Sequence, residues 1–482
     1  MPLAFAPFGI FPVALISLLL LFATWRDATP RRGFLRGWLF GAGAFGAGVF
    51  WIHESFQFSN IGLGVAIPLT VAFVTFLALY PALVGYLSRR LGPVSESARL
   101  LLFYPALWVL AEWLRGWLFT GFTWLQLGYS QIDSPLGGFL PLTGIYGVSW
   151  LVAFLAALIL HALSEGKRVR AAAAGVVAVV IVAGGVLRGV SWTEDAGAAF
   201  KVALVQGNIP QDQKWLRSMR QPTLDRYLEL TRRHWDAALI VWPESAVPGL
   251  YHQMRPFIDA VDVEARRNKT DLLLGVPAVD PAAGEFTNSV FLVGMGSGVY
   301  HKRHLVPFGE YLPLDALLRP VTEAFGIPVS SFSPGPQEQR LLSVAGHPMA
   351  LSICYEVAFG NEIIRDLPKA QFLVTVSNDA WFGTSIGPHQ HFEIARVRAL
   401  ETGRFMLRAT NTGITAIIGP GGRAVARLAQ FETGVLEGEI TPRSGATPYV
   451  SLGDYPFIAA LFLLLAAPWL GPRLERRRRD DI

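Results

Sequence analysis

The chain has 482 residues, about three domains' worth of material, of which 52% are hydrophobic and only 16% charged, with a mean hydropathy of +0.39. That balance excludes a disordered chain and argues against a wholly soluble one, because soluble domains carry about 25% charged residues. A single cysteine excludes an intrachain disulfide and a Cys-rich metal cluster, and the net charge of +5 leaves nucleic acid or basic membrane loops to be decided by where the bases lie.

Apolar runs fill the first 190 residues. The predicted spans, each near the ~20 residues that a bilayer requires, are Phe8–Ala23, Phe34–Ile52, Val65–Leu87, Leu100–Phe119, Gly144–Leu163, Ala172–Val190 and Pro456–Leu470, the first and last being short. Bases follow alternate runs: Arg26, Arg31 and Arg32; Arg89, Arg90 and Arg99; Lys167, Arg168 and Arg170; and the tail with Arg473 and Arg476 to Arg479. The loops His53 to Gly64 and Thr120 to Thr143 have no Lys or Arg. By the positive-inside rule the basic loops and tail are cytoplasmic, and the domain before the last span faces the other side, the periplasm in a bacterium. Bases at membrane edges, not on one face of a folded domain, remove the nucleic-acid reading. Met1 to Ala6 lacks the basic stretch that a cleaved signal peptide needs.

Between residues 198 and 454 the pattern changes to that of a globular domain. Strand-like runs recur at Lys201–Gln206, Ala238–Trp242, Asp271–Val276, Ser289–Val293, Met349–Cys354, Phe372–Ser377, Phe405–Ala409 and Ile414–Ile418. Helical patterns lie between several of them, at Pro222–Trp235, Pro256–Asn268 and Gln390–Gly403. The alternation predicts an α/β layered domain.

Three polar residues stand near the ends of such runs, where α/β sheets form their ligand crevices: Glu244, Lys302 and Cys354. A carboxylate, an ammonium and a thiol meeting there would suit acyl transfer. A free thiol, with a pKa near ~8.5, is mostly protonated at neutral pH and needs a base such as Glu244, and the oxyanion formed on attack needs a fixed charge such as Lys302. Singly, each has a plainer reading, since a lone cysteine in a strand is usually a small core residue and a lysine at a strand end is usually solvated. The histidine pairs His301/His304 and His389/His391 match no metal-site spacing, and no phosphate-cradling glycine loop is present, so neither metal nor nucleotide cofactor is expected. Glu112 and Arg115, near a span end, are expected to pair.

Longer motifs carry a resemblance. Trp-Pro-Glu-Ser at 242–245, His-Lys-Arg-His-Leu-Val-Pro-Phe-Gly-Glu-Tyr at 301–311, Ile-Cys-Tyr-Glu at 353–356 and Ser-Asn-Asp-Ala-Trp-Phe-Gly at 377–383 resemble the signatures of the nitrilase superfamily. With Gly121-Phe-Thr-Trp-Leu-Gln-Leu-Gly-Tyr-Ser-Gln and Gln206-Gly-Asn-Ile-Pro-Gln, the pattern is similar to that of its membrane-bound members, the apolipoprotein N-acyltransferase family. The resemblance implies a polytopic α-helical membrane domain over 1–195 with about six spans, an extramembrane nitrilase-like α/β domain (αββα sandwich) over 198–454, and a final span with a basic cytoplasmic tail over 455–482. It implies Cys354 as nucleophile, Glu244 as general base and Lys302 as oxyanion-stabilising lysine, with Glu310, Tyr355, Glu356 and Trp215 in substrate-binding roles. Asn378, Asp379 and Trp381 would form the pocket wall. Family members usually have eight spans, whereas this sequence presents seven.

The implied activity is transfer of an acyl chain from a membrane phospholipid to the α-amine of the S-diacylglyceryl cysteine of an apolipoprotein, at the bacterial inner membrane and without cofactor. Phe325-Gly-Ile-Pro-Val and Trp381-Phe382 are apolar enough to form a lid or a lateral entrance for lipid. Two other readings are open: a membrane-anchored amidase or hydrolase that keeps the same triad but uses water, and a scaffold or transporter whose nitrilase-like domain only binds. Transport would call for ionisable residues in mid-span, and these spans have almost none.

Overall fold

The computed structural model describes residues 1–59, 61–92, 95–279, 284–324 and 331–480. The chain divides into two compact units, one of 1–50, 67–190 and the segment from Ser451, the other of Trp51–Ala66 and Ser191–Val450.

The first unit is helical. Leu63–Leu91, Glu96–Arg115, Pro135–Leu163 and Lys167–Leu187 are long and apolar enough to cross a membrane, and Pro12–Trp25 and Tyr455–Ala467 are shorter apolar helices. Pro30–Val49 is a helix of glycines and aromatics. The predicted span Leu100–Phe119 stops at Arg115, because Phe119, Thr120 and Gly121 take positive φ and cannot continue a right-handed helix. Glu112 and Arg115 are held by the turn that follows. The Glu112 carboxylate accepts from Trp108 Nε1 (3.0 Å) and the Leu127 amide (2.9 Å), and Arg115 donates to the carbonyls of Phe122 (2.8 Å) and Trp124 (2.5 Å). In place of the expected pair, Glu112 Oε1 takes an indole N–H and a main-chain amide and Arg115 takes two main-chain carbonyls, groups that the sharp turn leaves without helical partners.

Helix Pro30–Val49 packs on Leu79–Leu91 through Gly33, Gly37 and Gly41, which face Gly85, Pro81 and Ala78; a Cβ at any of the three glycines would lie under 3.0 Å from a main-chain atom. In lipid there is no hydrophobic drive between helices, so small residues spaced by four allow the close backbone approach that holds them together.

The second unit is built on strands β1 (Glu194–Asp195), β2 (Phe200–Gln206), β3 (Leu239–Val241), β4 (Asp271–Val279), β5 (Phe286–Gly294), β6 (Gly298–His301), β7 (Leu342–Val344), β8 (His347–Ile353), β9 (Phe372–Ser377), β10 (Met406–Thr410), β11 (Ala416–Ile418), β12 (Ala424–Arg427), β13 (Gly434–Ile440) and β14 (Arg443–Ser444). One six-stranded sheet runs β13-β2-β3-β4-β5-β6 and the other β12-β11-β10-β9-β8-β7, while β1 and β14 pair alone. β2, β3 and β4 are parallel, as are β8, β9 and β10, and the flanking strands are antiparallel.

Side-chain alternation explains the layers. Val202, Leu204, Leu239 and Val241 of the first sheet share a core with Met349, Leu351, Phe372 and Val374 of the second. Their neighbours Ala203, Val205, Ile240 and Trp242 point the other way, onto Leu224 and Tyr227 of helix Arg217–Arg232 and Met254, Ile258 and Val261 of helix Tyr251–Arg267. Helix Gly387–Thr402 packs against β10 of the second sheet. The result is the αββα sandwich. Both proline-led helices begin five residues before the predicted Pro222 and Pro256, each proline forfeiting only its own amide bond.

The segment Trp51–Ala66, read from the sequence as the loop His53 to Gly64 with its ends in the flanking spans, groups with this unit. Trp51 Nε1 donates to Gln390 Oε1 (3.0 Å) and its ring meets Phe382 edge-on at 4.7 Å, while Phe58 meets Trp381 at 5.9 Å. Phe325-Gly-Ile-Pro-Val lies outside the described residues.

Candidate active site

Glu244 follows β3 and Cys354 follows β8, both parallel strands, so the carboxylate and the thiol sit at carboxyl ends. Cys354 takes φ +54° and Ser245, next to Glu244, φ +50°. A non-glycine residue in the left-handed region costs about 1–3 kcal/mol and persists only where the surroundings hold it, which here turns each functional side chain out of its strand. Lys302 follows β6, and its amide bonds the Asn288 carbonyl across to β5 (2.8 Å).

The charged groups are packed together away from the surface. Lys302 is 1% exposed, and its Nζ lies 2.7 Å from Glu310 Oε2 and 3.8 Å from Glu244 Oε1. Asn288 Nδ2 bridges the two carboxylates, donating to Glu244 Oε1 (2.7 Å) and Glu310 Oε1 (3.0 Å). Glu244 Oε2 accepts the Asn378 amide (2.8 Å), and Glu310 Oε2 accepts the Val306 amide (2.7 Å). Burial alone would strip the Lys302 proton, but the charges of Glu310 and Glu244 outweigh it and hold the ammonium well above its ordinary range. Burial pushes the Cys354 thiol up, the Glu244 carboxylate adds to this and Lys302 works against it. The resting thiol is therefore protonated, within the electrostatic reach of the Glu244 carboxylate and the Lys302 ammonium.

Two profiles match the sequence: the N-terminal domain of apolipoprotein N-acyltransferase over residues 1–158, and carbon-nitrogen hydrolase over residues 201–449. The apolipoprotein N-acyltransferase of Methylococcus capsulatus is 48% identical over 482 residues, covering 100% of this chain and 95% of its own. That of Coxiella burnetii is 42% identical over 474 residues, covering 98% of each. The chain belongs to the apolipoprotein N-acyltransferase family. A nitrilase-superfamily crystal structure from Saccharomyces cerevisiae matches 52% of this chain and 93% of its own at 19% identity and a TM-score of 0.39.

In this N-acyltransferase family member the other sequence-predicted residues fall into three groups. Glu310 spends both oxygens on Lys302, Asn288 and the Val306 amide. Glu356 is buried behind the Cys354 turn; one oxygen accepts the amides of Arg303 (2.6 Å) and His304 (3.1 Å), the other accepts that of Ile353 (2.6 Å), and Tyr300 OH donates to both (3.1 Å). It therefore ties the Lys302 turn to the Cys354 strand, while burial pushes its carboxyl up to about 7 against the pull of those amides and Lys302. Tyr355 is buried, with its ring near His304 and Phe359, and Trp215 is 52% exposed.

Asn378 donates to Gln211 Oε1 (2.7 Å) and accepts from Asn411 (3.1 Å), and Asp379 binds Arg408, His391 and Ser377. Of the four histidines of the two sequence pairs, three have side-chain partners here: His301 meets Ser289, His304 meets Glu362 and His391 meets Asp379.

Sequence reasoning missed Asn288, which joins the two carboxylates, and Lys214, 2% exposed, whose Nζ donates to the Glu244 carbonyl (3.2 Å). Burial brings the Lys214 ammonium down to about 8 although Glu244 opposes this. The run Thr287-Asn288-Ser289, three polar residues within a strand, was the available signal for Asn288.

Proposed function

We propose that this protein transfers an acyl chain from a membrane phospholipid to the α-amine of the N-terminal S-diacylglyceryl cysteine of apolipoproteins, the last acylation of bacterial lipoprotein maturation. The observation that carries this reading is the convergence of the sole thiol, one carboxylate and one buried ammonium at the strand ends of an acyltransferase-family chain.

The reaction is ping-pong. Cys354 Sγ attacks the ester carbonyl while Glu244 takes the thiol proton, and Lys302 holds the oxyanion. As the carbon–oxygen bond breaks, Glu244 returns the proton to the leaving lysophospholipid alkoxide, and a thioester remains on Cys354. The lipoprotein amine then attacks the thioester, its proton passes through Glu244 to the departing thiolate, and an amide is released. Glu310 keeps Lys302 aimed and charged, and Tyr355, Glu356 and Trp215 serve substrate binding around them. No ATP is required, because the membrane's own esters supply the activated acyl group.

In the same proposal residues 1–195 are a membrane domain, 198–454 the catalytic domain on the periplasmic side of the inner membrane, and 455–482 a last span with a basic cytoplasmic tail. The alternation of basic loops supports that orientation. Trp381 and Phe382 line the side where lipid enters.

Intact mass spectrometry of the membrane-purified protein tests the reading, with wild type beside Cys354→Ser before and after neutral hydroxylamine. A fatty-acyl adduct on wild type that hydroxylamine removes, that the variant lacks and that a diacylglyceryl peptide discharges is the expected result. No adduct with phospholipid supplied would overturn it.

A further inference from the structure

A buried polar chain behind the nucleophile takes no part in the reaction just described. Arg408 of β10, Asp379 after β9 and His391 of helix Gly387–Thr402 are each at most 1% exposed. Arg408 Nη2 donates to Asp379 Oδ2 (2.6 Å), and His391 Nδ1 lies 2.9 Å from Asp379 Oδ1 and 3.2 Å from Arg408 Nη2. The Ser377 hydroxyl also donates to Asp379 Oδ1 (2.7 Å). Gly413 leaves room for the carboxylate, since a Cβ there would come 2.5 Å from Oδ2.

The free end of the chain matters most. His391 Nε2 is 3.1 Å from the carbonyl oxygen of Cys354, not from its sulfur. A carbonyl only accepts, so Nε2 carries the proton, whether Nδ1 donates to Asp379 or accepts from Arg408. The arrangement looks like an aspartate–histidine pair poised to activate a thiol, yet it grips the backbone instead.

We propose that His391 is a positioning residue that fixes the left-handed turn at Cys354 through a hydrogen bond from Nε2 to the Cys354 carbonyl, with Asp379 and Arg408 holding the imidazole in place. The bond acts at the strained φ of +54°, where an unanchored cysteine would relax toward the extended or helical regions. It also orients the whole Cys354–Tyr355 peptide, because a trans peptide is planar and its N–H points opposite to its carbonyl. Ser377, whose hydroxyl donates to the same Asp379 oxygen that meets His391, adds to the bonds that hold this carboxylate in place.

Two amide substitutions separate the roles of the two ring nitrogens. His391→Gln places an N–H near the Nε2 position, and His391→Asn places one near Nδ1, keeping the Asp379 contact but losing the Cys354 contact. The inference rests on the acyltransferase reading for its rate effect, so the full-length protein in detergent micelles with phosphatidylethanolamine is followed by two readouts. One is the rate of acyl adduct formation by mass spectrometry. The other is alkylation of Cys354 by iodoacetamide, which requires no acyltransferase activity.

His391→Gln is expected within about fivefold of wild type in both, and His391→Asn to lose about 100-fold in adduct formation, the scale of a 1 Å misplacement, with half-saturating phospholipid unchanged and alkylation slowed. Equal rates for the two variants at unchanged thermal midpoints would overturn the proposal. Should His391→Asn not fold, His391→Gln decides alone: wild-type rates support the proposal and a loss above about 30-fold in both readouts overturns it. Wild type that alkylates but never acylates would count against the acyltransferase reading, and the alkylation rates would still test His391.

Discussion

The helical unit and the sheet unit hold together by opposite means. Between helices Pro30–Val49 and Leu79–Leu91 the contact is made by leaving side chains out, with Gly33, Gly37 and Gly41 against Gly85, Pro81 and Ala78. Around Lys302 it is made by putting charge in, with Glu244, Glu310, Glu356 and Lys214 at depth. Lipid offers no reward for burying apolar surface, so close packing must do most of the work of holding these two helices together, whereas the apolar core between two sheets gives the surplus against which charges can be desolvated.

Removing a charge from the sheet unit is therefore expected to cost more than adding atoms to the helical one. Glu356→Leu leaves the amides of Ile353, Arg303 and His304 without their acceptor, and a loss of about 3–5 kcal/mol in chemical denaturation of the sheet unit is expected. A loss under about 1 kcal/mol would break the comparison. Lys302→Met should lower kcat by about 10²–10³-fold at a modest change in KM, read as the rate of acyl adduct formation.

Lys214→Met sharpens the same point through pH. In the folded chain the Lys214 proton leaves near pH 8, against about 10.5 in the unfolded chain, so between these values the unfolded state binds more protons. Wild-type stability should rise by about 2–3 kcal/mol from pH 8 to 10.5, and the variant should lose that rise. Gly37→Leu, the smallest effect, should cost about 1–3 kcal/mol by forcing the helices apart, seen as a lower thermal midpoint of helix content. If it instead slows alkylation of Cys354 as much as Lys302→Met slows adduct formation, the two regions do not differ as described.

The central strands were legible because their residues are mostly apolar and β-branched, and the run Phe372–Ser377 coincides with β9 to the residue. Short or polar strands were not: β6, β7, β12 and β13 offer runs such as Gly-Val-Tyr-His and Gly-Val-Leu-Glu-Gly-Glu-Ile, whose place is set by a neighbouring strand more than by their own pattern. Glu244, Lys302 and Cys354 stand out as polar residues closing apolar runs. Asn288, Lys214 and His391 do not, because their meaning lies in partners 44, 30 and 37 residues away. Nor did periodicity reveal that Trp51–Ala66 belongs with the sheets, since two aromatic contacts decide it.

That last segment has a consequence in time. Helix Ile52–Phe56 leaves the ribosome roughly 330 residues before Gln390, which at ~5–20 residues per second is about 20–60 s. Throughout that interval Trp51 and Phe58 have neither Phe382 nor Trp381 to meet. The earliest-made part of the sheet unit thus waits for most of the chain to be synthesised before these contacts can close.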